Sequence, residues 1–418
     1  PLLKVFGVPP FAVADFPISQ LKSNVQTVGT FFRFFVHAGF VFVKCVVVPV
    51  FARCDVGHND VGPDTNCFLP SQGINGLQCT GGCNVDVLHQ DPQDGNHFQG
   101  QVKALFYGQD VGGTLGGVFR EAATLAGKYG DLRVFNTPIQ EAYIVGSTAG
   151  MSAVGARPIV EIQFADYVWP GINQLVEELS KSCYLSAGKF NVQSVIRIPT
   201  GAYGGGVPYH SGSVESALLT IRGIKVVYPS NAADMKGLFK AAYYDPNPVV
   251  MLEHKGLYWS KVPGTEAAKT IEPDEAYIIP LGKGRMHLEA TVGEEDNKVL
   301  VVTYGMGVHW AATAAEDYAG QVSILDLRTL HPLDWELVKA QAEKHHRILV
   351  LTEEQQMNSF AESLAGQIGQ HCFEYLDAPV RVYGAVSLPA VPLNVDLEKQ
   401  MLPNAQKVSE EIGTLLNY

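Results

Sequence analysis

Short apolar runs recur from residue 102 to residue 383, and they predict β-strands. Amphipathic stretches separate them; apolar residues at Ile172, Leu175, Val176 and Leu179, for example, have helical spacing. Strands that alternate with helices predict right-handed βαβ units, so we expect an α/β fold with a mainly parallel sheet. The predicted strands are Val102–Tyr107, Arg133–Phe135, Pro158–Phe164, Val192–Ile198, Lys225–Tyr228, Val249–Glu253, Val299–Thr303, Val322–Leu327, Ile348–Thr352 and Val380–Tyr383.

A connector rich in proline and charge, residues 261–285, divides this pattern into two blocks. We expect one domain over residues 99–275 and a smaller α/β domain over residues 286–418. Residues 1–98 form an atypical segment with no glutamate and no sustained helical period. The segment is either rich in strands or departs from the native reading of the protein. A zinc site at Cys79, Cys83, His89 and His97 is an alternative, although its spacing matches no standard finger.

Composition narrows the class of protein. The 418 residues carry a net charge of -12, which argues against nucleic acid as a partner. The apolar run at 31–50 is interrupted by Arg33, His37 and Lys44, which argues against a membrane span. Only Cys183 and Cys372 follow residue 102, as is typical of a reduced, intracellular and soluble enzyme.

The most informative stretch runs from residue 133 to residue 169. Thr137 is expected to cap a helix, with Pro138 at its first position and Gln140 completing a capping box. Glu141 then lies in the first turn, at the end of the sheet where α/β proteins bind ligands. The next strand brings Gln163, Asp166 and Tyr167 to the same end.

A histidine, His210, follows a glycine-rich loop and is a candidate acid–base group. Each of these residues also has a purely structural alternative. Glu141 could complement the helix dipole, His210 could be a solvated loop residue and Tyr167 could be a core aromatic. The chain has no P-loop, no G-x-G-x-x-G opening a helix after a strand, no G-x-S-x-G and no H-E-x-x-H motif.

Long strings from about residue 102 to the C-terminus resemble one family. They are GQDVGG, GGVFR, RVFNTPIQEAYIVG, RPIVEIQFADYVWPGINQLVEE, YHSGS, GIKVVYPSNAADMKGLFKAA, DPNPVVMLEH, LDLRTLHPLD and VLTEE. Together they resemble the beta subunit of the decarboxylating component of 2-oxoacid dehydrogenase complexes, within the transketolase-like superfamily. The resemblance implies a pyrimidine-binding domain followed by a transketolase C-terminal-type domain.

The resemblance also implies thiamine diphosphate as cofactor and a role for each candidate residue. Glu141 would hydrogen-bond the aminopyrimidine ring and, as a carboxylate, share the proton whose transfer activates the cofactor. Tyr167 would pack on that ring, with Gln163 beside it. His210 would hold the substrate carboxylate or manage protons during acyl transfer. Oxidative decarboxylation of a branched-chain 2-oxoacid or of pyruvate, with acyl transfer to a lipoyl carrier, is the expected activity.

Partners and metals follow from the same resemblance. No string matches the G-D-G motif that holds magnesium and diphosphate, so we expect an alpha subunit to supply it in an α2β2 assembly bound to a lipoyl acyltransferase core. Asp245 and Asn247 match a potassium loop of some relatives, or form a plain β-turn. The compartment would be the cytoplasm in a bacterium and the mitochondrial matrix or a plastid in a eukaryote.

Two departures from the family pattern stand out. Gln109 replaces the usual glutamate of the Glu-Asp-Val string near the cofactor, and Gly212 lies where many relatives have glutamine. The alternatives to the leading function are a transketolase-like or deoxyxylulose-phosphate-synthase-like half enzyme and a non-catalytic assembly subunit. The first of these would need basic phosphate-binding residues, of which the sequence has no convincing cluster.

Overall fold

Two β-sheets form the framework of the molecule. The computed structural model describes residues 104–202, 206–260, 262–293 and 296–418, so the expectations for residues 1–98 lie outside the described residues. The first sheet contains β1 (Ala104–Gly108), β2 (Val134–Asn136), β3 (Arg157–Glu161), β4 (Val195–Thr200), β5 (Lys225–Val227), β6 (Val249–His254) and β10 (Thr329–His331). The second contains β7 (Arg285–Leu288), β8 (Val299–Thr303), β9 (Val322–Asp326), β11 (Ile348–Gln355) and β12 (Arg381–Ala385).

Both sheets are mainly parallel, as the alternating pattern predicts. The first has the order β10-β5-β6-β4-β3-β1-β2, and only the edge pair β10–β5 is antiparallel. The second has the order β12-β11-β8-β9-β7, and only β7–β9 is antiparallel. Strands β4, β6, β8 and β9 are buried along their whole length, because helices cover both faces of a parallel sheet.

Helices connect the strands in each domain. In the first they are α1 (Leu125–Tyr129), α2 (Glu141–Ala153), α3 (Trp169–Gln174), α4 (Ser180–Leu185), α5 (Glu215–Leu219) and α6 (Ala232–Tyr244). In the second they are α7 (Met306–Ala315), α8 (Trp335–His345), α9 (Phe360–His371), α10 (Val395–Met401) and α11 (Ala405–Leu416). None of these helices, which cover the described part of the chain, is long and apolar enough to cross a membrane.

The capping prediction for helix α2 is wrong. The backbone N–H of Thr137 donates to the Gly108 carbonyl (2.9 Å), which keeps Thr137 extended beyond β2. Its hydroxyl donates to the Pro138 carbonyl instead of capping the helix. The helix therefore begins at Glu141, and the Gln140 side chain caps it by accepting from the Ala142 N–H at 3.2 Å.

Two other helices differ from the prediction. The apolar pattern of Phe119–Tyr129 also predicts a helix, but this is wrong in its first half, because Arg120 has a left-handed φ of 61° and regular helix begins only at Leu125. The helical stretch that starts at Trp169 contains a π-helical turn, Leu175–Leu179, between α3 and α4. Such turns are rare and are found frequently at functional sites.

One hydrophobic cluster extends through both domains. It joins Tyr228 and Val250 of the first domain with Tyr304, Val302 and Leu325 of the second. Because β1, β3, β4 and β6 are parallel, their carboxyl ends meet at one edge of the first sheet. Residues that follow these strands therefore share one crevice.

Candidate active site

The first residue of helix α2, Glu141, carries a carboxylate at the positive end of the helix dipole. The residue is half-buried. Within the described residues, no hydrogen bond or ion pair engages this carboxylate. The sequence places Glu141 in the first turn, and the structure agrees. Its carboxylate is therefore available to a ligand in the crevice.

Tyr167 and His210 are brought together although 43 residues separate them. The Tyr167 hydroxyl lies 3.0 Å from His210 Nε2. Burial, together with the charges of Asp166 and Glu141, raises the pKa of the Tyr167 phenol. The phenol therefore stays protonated near neutral pH, so it can serve as a donor to the imidazole. The effect of Glu141 on Tyr167 also indicates that the three candidates share one environment.

Gln163 faces a different neighbour. Its side-chain amide donates to Asp110 Oδ2 at 3.1 Å, which joins the end of β3 to the loop after β1. Asp110 has a left-handed φ of 61°, and its carbonyl accepts from the Gly117 N–H. The amide of Gln163 is thus oriented by the loop that carries the GQDVGG string.

Two residues that the sequence analysis missed complete the surroundings of His210. The Phe164 ring meets the His210 ring edge-on, with centroids 4.5 Å apart. The buried Lys255 ammonium donates to the His210 carbonyl and lies 5.5 Å from the centroid of Phe164. Burial lowers the pKa of Lys255 to about 8. The position of Lys255 directly after a buried strand is the signal that points to it.

A buried ionic cluster joins the strands that lead into the crevice. Arg197, in the middle strand β4, donates to both carboxylate oxygens of Glu253 at 2.6 Å and to Glu161 at 3.2 Å. Burial and the neighbouring carboxylates raise the pKa of Glu161 well above its usual range. Since Glu161 precedes Gln163 by two residues and Glu253 precedes Lys255 by two, Arg197 couples the two strands that carry those side chains.

Family models match most of the described chain. The model for the transketolase pyrimidine binding domain matches residues 101–260, and the model for the transketolase C-terminal domain matches residues 288–408. The 2-oxoisovalerate dehydrogenase subunit beta of Bacillus subtilis (strain 168) is 37% identical over 322 residues, which cover 76% of this chain and 93% of that protein. This chain belongs to the family of 2-oxoacid dehydrogenase beta subunits.

Two other relatives are similar to this beta subunit over most of their own length. The mitochondrial 2-oxoisovalerate dehydrogenase subunit beta of Dictyostelium discoideum is 36% identical, over 87% of this chain and 94% of its own length. The pyruvate dehydrogenase E1 component subunit beta of Acholeplasma laidlawii is 39% identical, over 67% and 83%. The family and its transketolase-like domains imply thiamine diphosphate as the cofactor.

A solved structure shares the fold of this beta subunit. It is titled "Split gene transketolase, inactive beta4 tetramer" and superposes with a TM-score of 0.59 over 81% of this chain and 97% of that chain. The sequence identity is 18%, so the likeness concerns the fold alone. The expected fold class, a parallel-sheet pyrimidine-binding domain followed by a transketolase C-terminal-type domain, is confirmed.

The remaining pair of predicted residues in this beta subunit, Asp245 and Asn247, lies away from the crevice. Asp245 precedes β6, at the amino ends of the parallel strands. Its carboxylate accepts from the Lys225 ammonium and from the Asn247 N–H, the latter at 2.9 Å. These contacts favour the β-turn alternative, because an ammonium already neutralises the carboxylate. No group of three or more His, Cys, Asp or Glu within the described ranges could hold a metal ion.

Proposed function

We propose that this beta subunit contributes the pyrimidine half of a thiamine diphosphate site and that it acts in oxidative decarboxylation of a 2-oxoacid. The observation that carries the proposal is the uncommitted Glu141 carboxylate beside the Tyr167–His210 pair. A carboxylate, an amide and an aromatic ring are the chemistry that an aminopyrimidine needs. Glu141, Gln163 and Tyr167 supply these three groups, so they would hold the aminopyrimidine ring.

Each side chain has a separate task in this proposal. Bound thiamine diphosphate supplies the electron sink for decarboxylation. Glu141 shares a proton with the pyrimidine nitrogen, for which a carboxylate is required because an amide is neither an acid nor a base near neutral pH. Tyr167 packs on the ring and orients His210. His210 holds the substrate carboxylate or carries a proton during acyl transfer.

The rest of the site is proposed to come from other chains. Magnesium and the diphosphate would bind to an alpha subunit in an α2β2 assembly, and a lipoyl acyltransferase core would accept the acyl group. A branched-chain 2-oxoacid is the proposed substrate, with pyruvate as the alternative, since relatives carry both names. Potassium at Asp245 and Asn247 stays a prediction that their contacts do not favour, because the Lys225 ammonium already pairs with the Asp245 carboxylate. The proposed compartment is the cytoplasm, or the mitochondrial matrix or plastid of a eukaryote.

Titration calorimetry with thiamine diphosphate and magnesium tests the division of the site. We expect no tight binding to this chain alone and magnesium-dependent binding once an alpha subunit is added. Decarboxylation of 2-oxoisovalerate and of pyruvate by the assembled protein then gives the substrate preference. Tight binding to the isolated chain would contradict the proposal that the diphosphate half lies elsewhere.

Glu141→Gln should abolish most turnover while the fold is kept. Loss of a general acid–base group lowers the rate by about 100-fold or more, whereas a neutral amide of the same size preserves packing. The measurement is the turnover number of the assembled enzyme, together with its circular dichroism spectrum. Glu336→Gln is the matched control, because Glu336 is an exposed glutamate in the first turn of α8. Normal turnover in Glu141→Gln would remove Glu141 from the mechanism.

A further inference from the structure

Two consecutive glutamates of the second domain reach the loop that carries His210. Glu353 and Glu354 lie near the end of strand β11, in the VLTEE string, and both are buried. The loop, residues 201–216, begins after β4 and ends in the first turn of α5. The pair therefore connects the second domain to both ends of a loop in the first.

Glu353 holds the entrance of the loop. Its Oε1 accepts from the Ala202 N–H at 2.5 Å, and its Oε2 lies 2.6 Å from His254 Nε2. Because the Gly256 N–H donates to His254 Nδ1, the ring proton is on Nε2 and points at Glu353. Both oxygens of Glu353 thus accept from N–H donors.

A glycine makes this close approach possible. Gly201 has a φ of +80°, and a Cβ at this position would lie 2.3 Å from the His254 ring and 3.0 Å from Glu353 Oε1. Any other residue would be strained in its backbone and would push these side chains away from the loop.

Glu354 holds the exit of the loop. Its Oε1 accepts from the Ser216 N–H at 3.0 Å, and its Oε2 accepts from the Ser216 hydroxyl at 2.5 Å. The Phe360 N–H, at the start of α9, donates to the same hydroxyl at 2.7 Å. Ser216 is therefore held by two elements of the second domain.

Between these two ends, hydrogen bonds join Gly212 to the start of the loop and to Asp166. The Gly201 N–H and the Thr200 hydroxyl both donate to the Gly212 carbonyl at 3.0 Å. The Gly212 N–H donates to Asp166 Oδ2 at 2.9 Å. His210 lies two residues before Gly212, so a displacement at either end of the loop would move the imidazole relative to Tyr167.

We propose that Glu353 and Glu354 are positioning residues, which hold both ends of the His210 loop and thereby set the geometry of the imidazole against Tyr167. The catalytic consequence rests on the proposed function, whereas the anchoring of the loop does not. Through these two side chains, the second domain then influences the catalytic rate of the site in the first domain.

The two glutamates should respond differently to replacement by glutamine. At Glu353 both carboxylate oxygens accept from N–H donors. In Glu353→Gln the side-chain NH2 must replace one of these oxygens, so it faces an N–H donor in either orientation and one hydrogen bond is lost. At Glu354 the amide can donate to the Ser216 hydroxyl, which has a free lone pair to accept with. Burial also raises the pKa of Glu354, which makes a neutral amide a fitting replacement. A merely electrostatic role would make the two substitutions equivalent.

Hydrogen–deuterium exchange of the full-length chain tests the anchoring directly. We expect Glu353→Gln and Glu354→Ala to speed exchange of peptides within residues 206–216 by about tenfold, and Glu354→Gln to restore most of the protection. Glu374→Gln, an exposed glutamate of the second domain, is the control and should match the wild type. Wild-type exchange in both Glu353→Gln and Glu354→Ala would overturn the proposal. If Glu354→Ala does not fold, Ser216→Ala removes the hydroxyl half of this contact from the other side.

Kinetics of the enzyme assembled with an alpha subunit test the consequence. Misplacing a reacting group by about 1 Å lowers the rate by about 100-fold, so kcat should fall between about 10-fold and 100-fold in Glu353→Gln and Glu354→Ala. The affinity for thiamine diphosphate should stay that of the wild type. Wild-type kcat and KM in both variants would contradict positioning. If the wild type itself has no 2-oxoacid turnover, the proposed function fails, and the exchange result still decides the anchoring.

Discussion

His210 is held by contacts of three different kinds. Tyr167 bonds its ring nitrogen, Phe164 packs against its ring, and Lys255 donates to its backbone carbonyl. Tyr167 and Phe164 belong to one segment, the turn after β3, and Lys255 follows β6, so contacts from two segments restrain the ring and the backbone of His210. This preorganisation is what general acid–base catalysis requires, because a proton moves efficiently only over a short and fixed distance.

Tyr167→Phe removes one of these contacts and keeps the aromatic ring. A hydrogen bond contributes on the order of 1 kcal/mol, so we expect kcat to fall by about fivefold to tenfold. Cofactor affinity should be unchanged, because packing on the pyrimidine is preserved. Tyr209→Phe is the control, since Tyr209 is 71% exposed. Calorimetry measures the cofactor affinity and steady-state kinetics measure kcat. A wild-type kcat in Tyr167→Phe would show that this bond does not orient His210.

At the scale of elements, the last turn of helix α8 is joined to strand β9 through His345. The Nδ1–H of His345 donates to the Gln341 carbonyl at 2.7 Å, and Nε2 accepts from the Ser323 hydroxyl at 2.7 Å. Both nitrogens therefore have hydrogen-bond partners in the neutral ring. Burial accordingly lowers the pKa of His345 from 6.5 to about 4.

This shift predicts an acid-sensitive helix–sheet contact. Between pH 6.5 and pH 4 the unfolded chain binds a proton at His345 and the native chain does not, so the free energy of unfolding falls as the pH is lowered through this range. The loss attributable to His345 should approach about 3 kcal/mol at pH 4. Denaturant unfolding at pH 7, 5.5 and 4 measures it.

His345→Gln should flatten that pH dependence, because glutamine does not titrate. The exposed His371→Gln should retain the full slope of the wild type. Equal slopes in the wild type and His345→Gln would show that other groups cause the acid sensitivity.

At the scale of the whole molecule, the two domains share secondary structure and charges. Strand β10, which follows β9 of the second sheet, pairs with β5 at the edge of the first sheet. Beside it, Arg328 donates to both oxygens of Asp234, at 3.0 and 2.7 Å. The Asp234 side chain is 1% exposed, so this ion pair is a buried link between the domains.

Arg328→Met should destabilise the molecule strongly. It keeps the aliphatic stem but leaves Asp234 with less compensation, and breaking a buried pair in this way typically costs about 3–5 kcal/mol. Arg381→Met removes the more exposed Arg381–Glu411 pair within the second domain and should cost about 1 kcal/mol or less. Equilibrium unfolding in urea compares the two. Similar losses in both variants would show that the link between the domains contributes little.

Much of the fold and part of the site could be predicted from the sequence alone. Strands such as Val299–Thr303 match the prediction at both ends, because apolar runs are a local signal. Glu141 and Tyr167 were expected at one end of the sheet, since parallel strands direct their carboxyl ends to the same edge. Local pattern and the resemblance together determined the α/β fold, the family and the position of the crevice.

Only the tertiary structure decided which side chains meet there. The start of α2 depends on Thr137 continuing beyond β2, and the partners of the His210 loop are Lys255, 45 residues away, and Glu353, 151 residues from Ala202. The antiparallel edge strands β7 and β10 likewise depend on distant partners. Periodicity records which face of an element is buried, whereas hydrogen-bond partners far apart in the chain are selected by how the two domains pack.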